Sequence, residues 1–181
     1  PRSTLFPYTT LFRSFSSVGP TSEGFVKPEI VAPGGHIRGL MEKKNRFAKD
    51  HLEYHDGDGY FTMSGTSQSA AVISGVAALM LQFDPKLSPD DVKCRLMATA
   101  QAAHVADGDA AYGILQQGSG LVNAYEAVYS DETGCANRGL DVSADLAGQH
   151  HYAGPVRVDK EGSLYFEGPD GTIYSGSFLW S

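Results

Sequence analysis

Between residues 70 and 83 almost every side chain is small or apolar, with Ser74, Gly75 and Gln82 as interruptions. This pattern predicts a helix over residues 67–83. Because a helix that is apolar on all faces is normally buried, we expect it at the centre of the fold. Gly75 costs a helix about 1 kcal/mol relative to alanine, which favours close packing of another backbone at that position.

A second helix is predicted to begin after Ser88. Serine is a preferred N-cap residue, and Pro89 suits the first helical position. The carboxylate of Asp91 lies near the exposed N–H groups of the first turn, where negative charge is favourable. We expect the apolar side of this helix to carry Val92, Leu96 and Met97.

A third, short helix is predicted over residues 121–129, after a glycine-containing turn at residues 118–120. Val122, Tyr125 and Val128 recur at helical spacing, so all three are expected to point inward. The first compact unit should end there.

The chain ahead of the long helix alternates short β-prone pieces with turns. Two strands are predicted, at residues 15–18 and 29–32. Residues 38–58 are rich in charge and histidine, a composition typical of an exposed loop or a short surface helix.

The end of the chain has a strand-like pattern over residues 139–181. A hairpin is expected there, because Pro169, Asp170 and Gly171 form a turn sequence between two β-prone runs. We therefore predict a β-rich extension over residues 131–181, separate from the unit over residues 15–130.

Residues 1–14, PRSTLFPYTTLFRS, resemble one reading frame of a sequencing-library adapter over their whole length. We interpret them as translated adapter, with genuine protein beginning near Phe15. The alternative is a natural strand, since the segment is rich in aromatic and β-branched residues.

Composition and charge narrow the class of protein. The 181 residues include 41% hydrophobic residues, enough to bury a core. A formal net charge of −7 leaves no basic surface to neutralise phosphates, so nucleic acid is not expected as a partner. The long apolar run falls short of the roughly 20 residues of a membrane-spanning helix, so we predict a soluble chain.

The two cysteines, Cys94 and Cys135, are too few for a disulfide framework or a clustered zinc site. They can pair if the protein is secreted, because disulfides form in oxidising compartments. The sequence leaves their state open.

Ser67 is the residue with the most chemical promise. It follows a glycine-containing turn, in the segment SGTSQSAA, and opens the predicted long helix. Free N–H groups and the helix dipole there favour a developing negative charge. A serine nucleophile also needs a histidine as base and a carboxylate to orient the histidine, so its position alone fits a plain N-cap serine as well.

Five segments resolve this ambiguity: FSSVGP, KPEIVAPGG, SGTSQSAAVISGVAALML, LSPDDVKCRLMATA and GSGLVNAYEAV. In this order and spacing they resemble the last third of subtilisin-like serine peptidases, the subtilases, over residues 15–129. The resemblance implies an α/β fold, in which this part of the chain ends a parallel sheet flanked by helices. It also implies that Ser67 is the catalytic nucleophile and that its N–H contributes to the oxyanion hole.

The same resemblance implies a secreted endopeptidase that acts on proteins or peptides, needs no cofactor for its chemistry and can carry structural calcium. The family triad runs Asp, His, Ser along the chain, which places the histidine, the aspartate and the oxyanion-hole asparagine before Phe15. We therefore expect the chain by itself to be inactive.

Two positions depart from the family pattern. Ala71 stands where proline is usual, and Ser69 where alanine is common. Both residues are small, so an altered local turn is expected and the nucleophile should be retained. Gln68 directly follows the nucleophile and is either a contact for the leaving-group side of a substrate or a polar residue of the helix start.

Other residues offer weaker sites. His36, His51 and His55 lie in or beside the variable loop and are interpreted as surface histidines. Asp56 and Asp58 suit a calcium turn but provide too few ligands. A hydrolase of the GxSxG type would place its aspartate and histidine after the serine, yet the βα units that such a fold requires are absent between Ser67 and the later candidates Asp141, Asp145, His150 and His151.

A non-enzymatic alternative remains open: a degenerate subtilase whose β-rich tail acts as a surface-binding module. Aromatic residues can form such a surface or the core of a β-domain. The tail aromatics are Tyr152, Tyr165, Phe166, Tyr174, Phe178 and Trp180.

Overall fold

The computed structural model describes residues 16–104, 108–168 and 170–179. The predicted adapter segment, Phe15, Pro169 and Trp180 lie outside this range. The described residues form two units, one of residue 16 with residues 32–75 and a second of residues 17–31 with residues 76–179.

The first unit contains a two-stranded antiparallel ribbon. Strand β1 (Ile37–Leu40) pairs with β2 (Tyr60–Met63), with Ile37 opposite Met63. Helix α1 (Arg46–Asp50) lies between the strands in sequence and is followed by a 3₁₀ turn at Leu52–Tyr54. The charged segment over residues 38–58 therefore includes the predicted short helix, but the sequence analysis missed the ribbon.

Helix α2 spans Thr66–Phe83, one residue longer than predicted. The prediction that it is buried on all sides is wrong for the described part of the chain, where Val76 and Met80 are its buried residues and Leu79 and Phe83 are about half exposed. An apolar helix is suited to burial, but its own sequence does not say which segments cover it. The expected close backbone at Gly75 is also not found, since no described atom lies within 4 Å of a Cβ built there.

Among the described residues, α2 is the one helix that is long and apolar enough to cross a membrane by length and composition. It has 18 residues and a mean hydropathy of 1.2, with 11% of that stretch buried. Because core helices of soluble proteins meet the same criteria, α2 is not a clear membrane span.

The second unit carries the predicted helix after Ser88, α3 (Pro89–Ala98). The Ser88 hydroxyl accepts a hydrogen bond from the Asp91 N–H at 3.1 Å, and the Asp91 carboxylate accepts one from the Ser88 N–H at 3.0 Å. This reciprocal capping box satisfies two backbone donors and fixes the helix start. Of the expected apolar side, Leu96 is buried, as is Cys94.

Two shorter helices follow, α4 (Ile114–Gln117) and α5 (Ala124–Tyr129). Helix α5 confirms the end of the predicted third helix but begins three residues later. Its buried residue is Ala127, whereas Tyr125 is 70% exposed, so the inward position predicted for Tyr125 is wrong. With six residues, the helix is too short for its periodicity to define a single buried face.

The strand predicted over residues 29–32 is reduced to a single position. Val31 forms a parallel bridge with Leu121, which also bridges Gln101 in the antiparallel sense. The mixture of helices and sheet confirms the α/β class. In the described residues, however, all pairs of named strands are antiparallel, and parallel pairing is found at the isolated bridge between Val31 and Leu121.

The tail begins with helix α6 (Val142–Leu146) and continues into a three-stranded antiparallel sheet. Its strands are β3 (Val156–Val158), β4 (Leu164–Glu167) and β5 (Ile173–Tyr174), followed by a 3₁₀ turn at Gly176–Phe178. The pairing of β4 with β5 agrees with the predicted hairpin. The strands are short, and a tail that is β-rich as a whole is not confirmed.

The hydrophobic core of the second unit joins the tail to earlier residues. Leu115, Val156 and Leu179 are buried together, and Val26 and Phe166 pack against them. The backbones also meet closely: the N–H of Val156 donates to the Gly24 carbonyl at 3.0 Å. Residues from both sides of the predicted boundary at 130/131 thus share one core, and a separate C-terminal domain stays a prediction.

The tail aromatics pack largely against one another. The rings of Tyr174 and Phe178 stack at 4.4 Å, and Phe166 lies 5.6 Å from Phe178. Tyr152 contacts Phe25 at 5.5 Å. Burial, with the negative charges of Glu29 and Asp90, raises the pKa of the Tyr152 hydroxyl. These contacts favour the interpretation of the rings as packing residues.

A disulfide fastens the segment between α5 and α6 to α3, and an ion-pair network joins α3 to residues 27–29. Cys94 of α3 is bonded to Cys135 across 41 residues. Glu29 accepts hydrogen bonds from Lys27 at 2.6 Å and pairs with Lys93 at 2.5 Å. Partial burial alone would raise the pKa of the Glu29 carboxyl, but the two lysines outweigh burial and lower it below the ordinary value of 4.5.

Replacing both cysteines, Cys94→Ala with Cys135→Ala, is expected to destabilise the second unit. Closing a loop of 41 residues restricts the unfolded chain by about 4 kcal/mol in the chain-entropy description. Chemical denaturation of the oxidised protein and the double variant measures the difference. Equal stability, or two titratable thiols in the native protein, would contradict the assignment.

The lowered pKa of Glu29 predicts an acid-sensitive contribution to stability. A group whose pKa is lower in the folded state stabilises the protein above its ordinary pKa and loses that contribution as pH falls through the lowered value. Unfolding midpoints should therefore fall as pH drops below 4.5, and Glu29→Gln should reduce this dependence. If the unfolding midpoints of Glu29→Gln and of the control Glu161→Gln depend equally on pH, the result contradicts the proposed contribution of Glu29.

Candidate active site

Ser67 lies in the first turn of α2, which follows β2 after Ser64 and Gly65, and its side chain is exposed. The Gly65 carbonyl accepts hydrogen bonds from the N–H groups of Gln68 and Ser69 at 3.2 and 3.4 Å. First-turn N–H groups, including that of Ser67, have no partner inside the helix. The positive end of the helix dipole therefore lies beside the hydroxyl, and the same turn can stabilise an oxyanion formed there.

A close backbone contact fixes this turn. The Gly65 N–H donates to the Gly34 carbonyl at 2.8 Å, and the Ser69 hydroxyl donates to the Ala32 carbonyl at 3.0 Å. A Cβ at Gly34 would lie 2.2 Å from Ser69 Oγ and 2.7 Å from the Gly65 carbonyl oxygen. Only glycine leaves room for residues 32–34 to approach the helix start so closely.

The two departures from the family pattern are accommodated without distortion. Helix α2 is continuous through Ser69 and Ala71, so the altered local turn expected there is not seen. Ser69 instead gains the hydrogen bond to Ala32, a bond that alanine lacks. Gln68 is half-buried, and its Nε2 lies 3.8 Å from the sulfur of Met63, which holds its side chain toward β2.

No histidine in the described part of the chain is hydrogen-bonded to the Ser67 hydroxyl. Both ring nitrogens of His55 are hydrogen-bonded, Nε2 to the Met41 carbonyl at 3.0 Å and Nδ1 to the Gly57 N–H at 2.9 Å. The ring of His51 lies 3.6 Å from the carboxylate of Glu53. These contacts hold two of the candidate histidines, His51 and His55, within their own loop.

His36 enters the site through its backbone. Its N–H donates to the Ser64 hydroxyl at 2.9 Å, and its φ of 54° is left-handed. This bond links the end of β2 to the segment that follows Gly34. The structure gives His36 a positioning contact next to the nucleophile turn.

In the candidate calcium turn, the Asp56 carboxylate is bonded to other groups of the protein. The Asp56 carboxylate accepts hydrogen bonds from the N–H groups of Tyr60 at 3.1 Å and Asp58 at 2.9 Å, and it pairs with Arg38. These bonds, that of Tyr60 first, lower the pKa of the Asp56 carboxyl. Within the described residues no group of three or more His, Cys, Asp or Glu side chains is arranged to hold a metal ion.

The later Asp and His candidates have structural roles in the second unit. Asp141 caps α6 by accepting from the Ala144 N–H at 2.9 Å. Asp145 lies 3.2 Å from the ring of His151, and the N–H of His150 donates to the Ala144 carbonyl. A GxSxG-type arrangement finds no support in these contacts.

A cluster of aromatic residues next to this site was not predicted from the sequence. Phe47 and Tyr54 each contact the buried ring of Phe61. Phe47 and Tyr54 belong to the segment interpreted as an exposed charged loop. The two aromatic residues, seven positions apart in a charged stretch, were the signal from which this packing could have been predicted. Aromatic side chains carry a large apolar surface, and its burial stabilises a fold.

Comparison with known proteins identifies the family of the chain. The sequence model of the Subtilase family matches residues 8–120. The chain is 48% identical over 80 residues to the serine protease AprX of Bacillus subtilis, covering 44% of this chain and 18% of that protein. It is 34% identical over 122 residues to the subtilisin-like protease SBT1.2 of Arabidopsis thaliana, covering 63% of this chain and 16% of that protein.

Among solved structures, the prenylagaramide maturation protease PagA is similar, with 28% identity and a TM-score of 0.41, over 62% of this chain and 35% of that chain. The matched part of the chain spans less than a fifth of the length of AprX and of SBT1.2. The family match begins at residue 8, inside the segment interpreted as adapter, and that segment lies outside the described residues.

Gly34→Ala is expected to displace the start of α2 and to slow reactions of Ser67. The added methyl group would overlap Ser69 and the Gly65 carbonyl, and misplacement of a nucleophile by about 1 Å costs up to a hundredfold in rate. The rate of covalent labelling by a fluorophosphonate in the full-length protein measures the effect. Gly39→Ala is the matched control, because no described atom lies within 4 Å of a Cβ built there; equal labelling rates in both variants would contradict the prediction.

Proposed function

This chain belongs to the subtilase family of serine peptidases, and on that premise we propose that it is part of an endopeptidase whose nucleophile is Ser67. The observation that carries the assignment is the position of Ser67: an exposed serine in the first turn of α2, inside the segment that matches the family. The substrates would be proteins or peptides.

The proposed reaction is acyl transfer through a covalent intermediate. Ser67 Oγ attacks the carbonyl carbon of the scissile peptide bond while a histidine takes its proton. The N–H of Ser67 donates to the resulting oxyanion. Collapse of this intermediate expels the amine, which receives the proton from the histidine, and leaves an acyl-enzyme that water hydrolyses by the same steps.

The histidine and its orienting aspartate are proposed to lie before Phe15, in the order that the family uses. The contacts of His51 and His55 within their own loop support this placement. The chain by itself is then expected to be inactive, because a triad serine without its base loses about a million-fold in rate in the well-studied subtilisin case.

We propose that the protein is secreted. The Cys94–Cys135 disulfide supports this location, because disulfides persist in oxidising compartments and are rare in the cytosol. No cofactor is needed for the chemistry, and structural calcium bound by other parts of the protein stays compatible with it.

Ser67→Ala in the full-length protein is expected to abolish hydrolysis of unfolded casein. Ser74→Ala is the control on the same helix, since the Ser74 hydroxyl donates to the Ala70 carbonyl within α2, and it should retain activity. If the folded, complete protein does not hydrolyse casein, the result contradicts the peptidase assignment and favours a degenerate subtilase with a binding tail. Activity retained in Ser67→Ala would assign the nucleophile elsewhere.

A further inference from the structure

The second unit contains a cavity of about 590 Å³ between α3, α4 and the tail. This volume is in the range of small-ligand sites. We call it the tail cavity. Much of its lining is apolar and includes Phe25, Met97, Ile114, Tyr152 and Phe166. Because removal of apolar surface from water favours binding, this lining suits a ligand with an apolar group.

The rings of the tail cavity are held in place by packing. Phe25 and Tyr152 lie 5.5 Å apart between ring centroids, and Phe166 packs against the core that contains Leu115. All three rings are partly exposed. They therefore present apolar surface to an incoming group without having to move first.

Residues 135–138 form a second wall of the tail cavity. The disulfide bond to Cys94 holds the start of this wall. The Asn137 side chain accepts a hydrogen bond from Lys93 at 2.8 Å and donates one to Asp90 at 2.6 Å. One covalent bond and two polar contacts thus fix this wall against α3, so the cavity is formed before any ligand arrives.

The charged side chains of the tail cavity favour an anion. They are Lys93, Arg138, Arg157, Glu29 and Glu167. Glu29 and Lys93 pair at 2.5 Å, so their charges offset each other. Two arginines then remain against one glutamate, a positive excess of one charge in a protein whose formal net charge is −7. A ligand with a single negative charge matches this excess.

Both arginines keep hydrogen-bond donors for such a ligand. Arg138 donates from Nε to the Gly134 carbonyl at 2.9 Å. Arg157 donates from Nη1 to the carbonyls of Gly154 and Val156. A guanidinium carries five N–H groups, and the others of these two side chains have no partner in the described part of the chain. Guanidinium groups match the geometry of a carboxylate and bind it strongly.

We propose that the tail cavity binds a small amphipathic carboxylate, in which one carboxylate lies next to an aromatic or aliphatic group. The apolar group packs among Phe25, Tyr152 and Phe166, and the carboxylate accepts hydrogen bonds from Arg138 or Arg157. Two kinds of molecule have this chemistry, the C-terminal residue of a peptide and a free acyl chain. The inference concerns the second unit and does not depend on Ser67 as nucleophile.

The test measures binding to the full-length protein by ligand-observed NMR. N-Acetylphenylalanine represents the end of a peptide and decanoate a free acyl chain, so the tighter of the two identifies the source. N-Acetylphenylalaninamide lacks the charge and is expected to bind about tenfold more weakly than the acid, because hydrogen bonds between charged groups are the stronger ones. The double variant Arg138→Gln with Arg157→Gln should weaken binding of either acid by about tenfold for the same reason.

Arg46→Gln is the matched control, because the Arg46 side chain is 96% exposed on α1 and does not line the tail cavity. It should leave the affinity unchanged, as should Ser67→Ala, which separates this test from that of the peptidase function. Thermal unfolding confirms that the arginine variants are folded, and each single variant serves if the double one is not. Equal affinities for acid and amide, unchanged affinity in the folded arginine variants, or no binding of either acid would overturn the inference.

Discussion

The contact between Gly34 and the start of α2 determines where the candidate chemistry takes place. Its hydrogen bond, from the Gly65 N–H to the Gly34 carbonyl at 2.8 Å, joins two residues that are 31 positions apart in sequence. The absence of a side chain at Gly34 lets Ser69 approach and bond to the Ala32 carbonyl. A turn held from both sides keeps the Ser67 hydroxyl and its own N–H in a fixed relation, which is the geometric requirement of acyl transfer.

This turn belongs to the first unit, whereas the disulfide and the hydrophobic core around Leu115 belong to the second. The ribbon of β1 and β2 leads directly into α2, so the rings that pack on Phe61 lie next to the nucleophile. The second unit is held by a core that includes Leu115 and Val156 and by the Cys94–Cys135 disulfide. The candidate chemistry and the main covalent restraint therefore lie in different units of the chain.

The sequence predicted those features that depend on local chemistry. Ser88 and Asp91 form their capping box because both partners lie within one turn. The helix that carries Ser67 begins within one residue of the predicted start, because a glycine-containing connection precedes an apolar run. Burial depends on segments distant in sequence, so the exposure of Tyr125 and of much of α2 was not predicted. The contact between Phe47 and Phe61 was missed for the same reason, since the two rings meet only after the ribbon folds.

The central claim is that Ser67 is an activated nucleophile in the complete protein. Its most direct test is to react the folded, full-length protein with a fluorophosphonate and to locate the adduct by mass spectrometry of the resulting peptides. The account predicts one phosphonyl group on Ser67, lost when the protein is unfolded before the reagent is added, because an isolated serine hydroxyl is a weak nucleophile. An adduct on a different residue, or none on a protein shown to be folded, would contradict it.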